Sequence, residues 1–136
     1  MYIQSDIIRI KETKKQIAND IIKITVVGPS KVGKTHIINN ICEFNNPITT
    51  HDIVQITFSP PFLVNNHKFQ LGFIELSPED FFLKLATELT AESRIMLLIF
   101  DFSSNNLKNE CRKWCDIIQQ EEISTCKKIV LFNNVN

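Results

Sequence analysis

Residues 20–44, DIIKITVVGPSKVGKTHIINNICEF, constrain this chain more than any others. The β-branched run Ile21–Val27 predicts a strand buried on both faces. It stops at Gly28-Pro-Ser-Lys-Val-Gly33-Lys34-Thr35, after which Ile37, Ile38, Ile41 and Phe44 recur at helical spacing. The order of strand, Gly-x4-Gly-Lys-Thr loop and helix has a physical purpose. Glycines let the backbone turn so that successive N–H groups face an anion, and the helix behind adds its positive end. Lys34 is placed to reach the outer phosphates of a nucleotide, and the Thr35 hydroxyl to ligate Mg²⁺. The chain has three glycines and two of them stand here. Chance assembly of this pattern in so short a chain is on the order of a percent, given Gly at about 7% of average sequence. The candidate phosphate-binding residues are Gly28, Pro29, Ser30, Lys31, Val32, Gly33, Lys34 and Thr35, with His36 opening the helix.

The rest of the chain alternates strands and helices. HDIVQITF and HKFQLGFIEL, residues 51–58 and 67–76, alternate apolar with polar residues and predict an antiparallel hairpin. Asn65-Asn66 marks its turn and Pro60-Pro61 interrupts its edge. PEDFFLKLATELTAE predicts a helix with Ser77 as cap and Pro78 near its first position. RIMLLIFDF (94–102) predicts a second buried strand, and NLKNECRKWCDIIQQEE a helix whose face is Leu107, Cys111, Trp114 or Cys115, and Ile118. KKIVLF is the last strand. Residues 5–19 predict a short amphipathic helix or a leader. The expected fold is a three-layer α/β domain, a mostly parallel sheet with one antiparallel hairpin edge strand and helices on both faces.

With 136 residues there is room for one domain and not two. Fifteen basic residues against fifteen acidic ones give no general attraction to nucleic acid, so any phosphate must be held locally. No secretory signal, membrane span, prenylation or myristoylation motif is read, so no lipid anchor is expected and the setting is cytoplasmic. The four cysteines then read as reduced thiols. Cys111 and Cys115 share a helix face without a second ligand pair, which favours buried thiols over a metal site. If the FSPPFL segment (58–63) is exposed, it offers a surface to a protein partner.

From Lys34 onward the chain resembles the Ras superfamily of small GTPases, particularly its Rab-like members. The hairpin, MLLIFDFSS (96–104) and KWCDII (113–118) follow the loop in the family's order and spacing. VVGPSKVGKT (26–35) and KWCDIIQQ (113–120) look most like the divergent Rab-like GTPase of intraflagellar transport. The resemblance implies a nucleotide-binding domain over 21–136 without the family's last strand and helix, preceded by a leader over 1–20. GTP or GDP with Mg²⁺ would be the cofactors, and a protein partner would dock on the switch and hairpin surface. The implied work is that of a switch or scaffold subunit in trafficking, in the cytoplasm or at the cilium. A pseudo-GTPase that interacts with proteins and binds no nucleotide usefully is the alternative.

The family's other motifs are altered. Its switch threonine, a Mg²⁺ ligand, falls at Thr49 or Thr50, with Thr50 preferred. The Asp-x-x-Gly motif aligns with Glu75-Leu-Ser-Pro78, where Glu75 would hold Mg²⁺ through a water and Pro78 has no N–H to sense a γ-phosphate. The glutamine that orients the attacking water is replaced by Glu79, so intrinsic hydrolysis is expected to be weak or absent. The base-reading Asn-Lys-x-Asp aligns with Asn133-Asn134-Val135-Asn136. Asn136 offers one acceptor and one donor where guanine presents two donors, so guanine preference should fall. Asp101 ends an apolar strand, either as a water-mediated Mg²⁺ contact or in a structural role.

Overall fold

The computed structural model describes residues 20–43, 48–51, 54–76, 93–119 and 126–134. The strands are β1 (Asp20–Val27), β2 (Ile48–His51), β3 (Val54–Phe58), β4 (Phe62–Val64), β5 (His67–Leu76), β6 (Ile95–Asp101) and β7 (Lys127–Asn133). Helix α1 is Lys34–Ile41 and helix α2 is Leu107–Ile118. All seven strands join one sheet in the order β2-β3-β5-β1-β6-β7, with β4 paired to β5.

The long apolar runs take the middle of the sheet because only there are both faces covered. β1 pairs in parallel with β5 on one side (Ile24↔Phe73) and with β6 on the other (Ile24↔Ile95). β6 pairs in parallel with β7 (Leu98↔Val130). The four parallel strands therefore end on the same side of the sheet. β1 is where the strand order switches direction, the usual site of a ligand crevice in such sheets.

Side chains alternate between two cores. Ile24, Val26, Phe73, Leu97 and Ile99 face α1 and pack with Val32, Ile38 and Cys42. Val27, Ile56, Phe58, Ile74, Met96, Leu98 and Phe100 face the other way, onto Trp114 and Ile117 of α2. Helices thus lie on both faces, as the alternation of elements predicted.

The expected hairpin is more elaborate in the structure. β3 runs antiparallel to β5 (Ile56↔Ile74), but Asn65-Asn66 turns the chain from β4 into β5 rather than from β3. Both asparagines have positive φ, 51° and 64°, as a two-residue hairpin turn requires. Pro60-Pro61 sits in the bend between β3 and β4. β2 and β4 go beyond the expected elements, both being short and without a long alternating pattern. β2 adds a further antiparallel strand outside β3.

Helical faces are also refined. In α1, Ile38 is buried but Ile41 is 43% exposed, because the helix ends there and Cys42 takes the core position. In α2, Trp114 rather than Cys115 faces the core, and Cys115 is exposed, which corrects the reading of both thiols as buried. β7 ends the sheet among the described residues, with Ile129, Val130 and Phe132 exposed, the liability of an open edge. The helix expected after Leu76 and the leader over 1–19 lie outside the described residues. Among the described residues, no helix is long and apolar enough to cross a membrane.

Candidate functional site

The Gly-x4-Gly-Lys-Thr segment is the turn between β1 and α1, at the shared C-terminal side of the parallel strands. Its two glycines are there for different reasons. Gly28 (φ 143°) lies against β6, where an added Cβ would stand 2.1 Å from the Ile99 carbonyl oxygen. Gly33 (φ 89°) is the N-cap of α1, and a Cβ there would stand 2.5 Å from Nδ2 of Asn133. Both positions have a conformation that side chains resist; at Gly28 the neighbour is backbone and leaves no room, whereas at Gly33 it is the end of the Asn133 side chain, which would have to move aside. Lys31 also has a positive φ of 62°, and Val32, 3% exposed, anchors the loop in the α1-side core.

The loop's polar groups are arranged for an anion. Among the described residues, the backbone N–H groups of Ser30, Lys31 and Gly33 find no acceptor. Lys34 folds back over the loop, its Nζ donating to the carbonyls of Gly28 (2.9 Å) and Pro29 (2.6 Å). That holds an ammonium group at the turn, ahead of the first turn of α1. His36 is exposed on α1 and takes no part in these bonds.

The metal candidates divide. Thr35 Oγ1 donates to both carboxylate oxygens of Glu75, at 2.9 and 3.2 Å. The register of β1 on β5, Val26↔Glu75, carries Glu75 to the end of the sheet where the loop begins. A hydroxyl and a carboxylate held together beside a phosphate loop are oxygen ligands suited to Mg²⁺. Thr50 lies on β2 at the point where the β2–β3 register shifts between Thr49 and His51. Its side chain is outside the described residues, as are Pro78, Glu79 and Asn136.

Asp101 is occupied otherwise. Its Oδ1 accepts from the backbone N–H of Ser103 (2.9 Å) and from the Ser103 hydroxyl (2.7 Å), closing the turn after β6. Of the two readings of this residue, the structural one matches that geometry. Among the described residues no group of three His, Cys, Asp or Glu side chains gathers as a metal site.

Asn133 ends β7 and reaches back to the loop, its Nδ2 donating to the Val32 carbonyl at 3.0 Å across 101 residues of chain. Among the described residues, its other amide N–H and its side-chain oxygen take no further partner. The base-reading motif falls on Asn133, but no local signal in the sequence pairs it with Val32, so this strut is visible only in the fold. The same holds for the Ile99 carbonyl behind Gly28, a contact made by backbone and therefore silent in the sequence.

No curated protein matches the chain. A family model does, that of Roc, described as the Ras of Complex, Roc, domain of DAPkinase, over residues 23–136. The match takes in the phosphate loop, Glu75 and Asn133 as well as the sheet that brings them together. The chain belongs to the Roc family, a family of Ras-like GTPase domains.

Proposed function

We propose that this chain binds GTP and GDP with Mg²⁺ and works as a switch or scaffold subunit with weak or no intrinsic hydrolysis. The observation that carries this reading is the juxtaposition of an open phosphate loop, the Thr35–Glu75 pair and the Asn133 strut at one end of a Ras-like sheet. The residues fit the groups they would hold. The N–H donors of the loop, together with Lys34, would take the phosphates, while Thr35 and Glu75, with Thr50 from β2, would take Mg²⁺. The ion supplies charge neutralisation at the β- and γ-phosphates. Asn133 would meet the base, and Asn136 would weaken the choice of guanine over xanthine.

Weak hydrolysis rests on two residues of the sequence. Pro78 has no N–H to offer a γ-phosphate, and Glu79 brings a carboxylate to the place where water should be oriented. A protein partner would dock on the hairpin, where Phe62, Leu63 and Val64 are exposed on β4 while Phe58 is buried. The resemblance of residues 26–35 and 113–120 to the Rab-like GTPase of intraflagellar transport carries a narrower proposal, a cytoplasmic trafficking role at the cilium. Failure of the tagged chain to concentrate at cilia of a ciliated cell contradicts that narrower role.

Lys34→Ala tests the central reading. Joint loss of nucleotide and partner binding fits a switch, and loss of nucleotide alone fits a scaffold. Unchanged nucleotide binding contradicts the site.

A further inference from the structure

The nucleotide-binding reading leaves two thiols of α2 without a role. Cys111 and Cys115 stand one turn apart on the helix Leu107–Ile118, and both are free. Cys42 and Cys126 are buried, whereas Cys115 is exposed and Cys111 is half-buried at the margin of the core around Trp114 and Ile117. Among the described residues, neither of the α2 thiols makes a hydrogen bond. Packing accounts for part of Cys111 and for none of Cys115.

Geometry limits what such a pair can do. Residues four apart on a helix have Cβ atoms about 5–6 Å apart. A disulfide needs about 3.5–4.5 Å, so these sulfurs cannot join while α2 is intact. A shared metal ion suits the spacing better. With metal–sulfur distances of about 2.3 Å, as for zinc, two thiolates on one ion stand up to about 4.6 Å apart, which the helix meets without unwinding. The local field points the same way. Burial pushes the Cys111 thiol up, and the negative charges of Cys115 and Glu110 push it further. A field that resists a second anion favours a cation between them. No third His, Cys, Asp or Glu completes a group here among the described residues, so the ion has two protein ligands. Zinc in structural sites takes four and magnesium or calcium takes oxygen, which leaves a soft ion that thiolates hold at low coordination number.

We propose that Cys111 and Cys115 form a two-thiolate site for a soft monovalent metal ion, copper(I), at the boundary between the core and the exposed side of α2. Each thiol gives its proton to solvent and a sulfur lone pair to the ion, and no oxidation state changes. The resulting complex carries a single net negative charge. Lys108 and Arg112, both exposed and three positions before each cysteine, supply cations on the same helix. The site lies outside the phosphate loop and does not depend on nucleotide.

The test is an oxygen-free titration of the full, reduced chain with copper(I) against the chromogenic copper(I) chelator bicinchoninate, for wild type, Cys111→Ser and Cys115→Ser. Wild type should withdraw about one ion per chain from the chelator, and either variant should withdraw none at the same chelator concentration. Because Cys115 is exposed, Cys115→Ser should melt at the wild-type temperature without metal, so its loss of copper is not a loss of fold. Bound copper should also slow alkylation of Cys115 in the wild-type chain. A wild-type chain that withdraws no copper overturns the proposal, as does a Cys115→Ser chain that withdraws as much as wild type. Nucleotide binding should be unchanged in Cys115→Ser, so this inference and the reading of the phosphate loop fail separately.

Discussion

At the scale of single residues, the site depends on a glycine whose substitution would strain the backbone and push Asn133 aside. Gly33→Ala must accommodate a Cβ 2.5 Å from Asn133 Nδ2 at a φ of 89°. A loss of at least about 1 kcal/mol in stability is expected from the backbone conformation alone. Displacing Asn133 should weaken nucleotide binding as well, so chemical denaturation and nucleotide titration should both report the change. Asn133→Ala separates the two effects. It removes one part-buried hydrogen bond to Val32, about 1 kcal/mol of stability, and removes the amide that would meet the base. The variant should melt only slightly lower yet lose more affinity for guanine nucleotides than for inorganic triphosphate. Glu75→Gln keeps a hydrogen-bond acceptor for Thr35 but removes the charge that would attract Mg²⁺. Titration with and without the ion should show its contribution to GTP affinity falling by about ten-fold or more, the scale of a lost ligand-shell interaction.

Among the elements, α2 gives the sharpest expectations. Trp114 is 2% exposed and fills the core between α2 and the sheet, so Trp114→Ala should cost about 3–5 kcal/mol in a denaturant melt. The cysteines should react in the order of their exposure. Cys115 is exposed and Cys111 half-buried, while Cys42 and Cys126 are buried. Mass spectrometry after timed alkylation should find Cys115 modified first and Cys42 and Cys126 last, at the rate of unfolding. Burial pushes the Cys42 thiol up to about 11 from an ordinary 9.0, and burial likewise raises Cys126 against a smaller lowering by Lys128. The unfolded chain then releases these protons first as pH rises. Stability should therefore be unaffected below pH 9 and fall between pH 9 and about 11, which a pH series of melts would show.

The elements also show what the sequence made legible. Runs such as Ile21–Val27, β-branched but for Lys23, and Met96–Phe100, apolar throughout, read as central strands, and the loop between β1 and α1 is spelled out by its glycines. β2 and β4 were invisible because four and three residues carry too little pattern to be told from a loop. Trp114 and Cys115 stand next to each other on the helix, and only packing against the sheet, β6 among its strands, decides which turns inward. The direct Thr35–Glu75 bond depends on a parallel register that joins residues forty apart, so the alignment named both residues without foreseeing their contact.

For the whole molecule, the arrangement places three remote segments at one end of the sheet. The loop after β1, Glu75 at the end of β5 and Asn133 at the end of β7 meet because these strands are parallel and stop together. This convergence, in a chain of the Roc family, is the basis for the central claim that the loop binds guanine nucleotide with Mg²⁺. Thermal unfolding of the purified chain with GTP, GDP, XTP and ATP, each with and without Mg²⁺, tests that claim most directly. A ligand at about 100 times its Kd adds about 2.7 kcal/mol of stability, a shift of several degrees in a domain of this size. The account predicts Mg²⁺-dependent stabilisation by GTP and GDP, a shift of similar size with XTP, and little with ATP. A melting temperature unmoved by every nucleotide would contradict it.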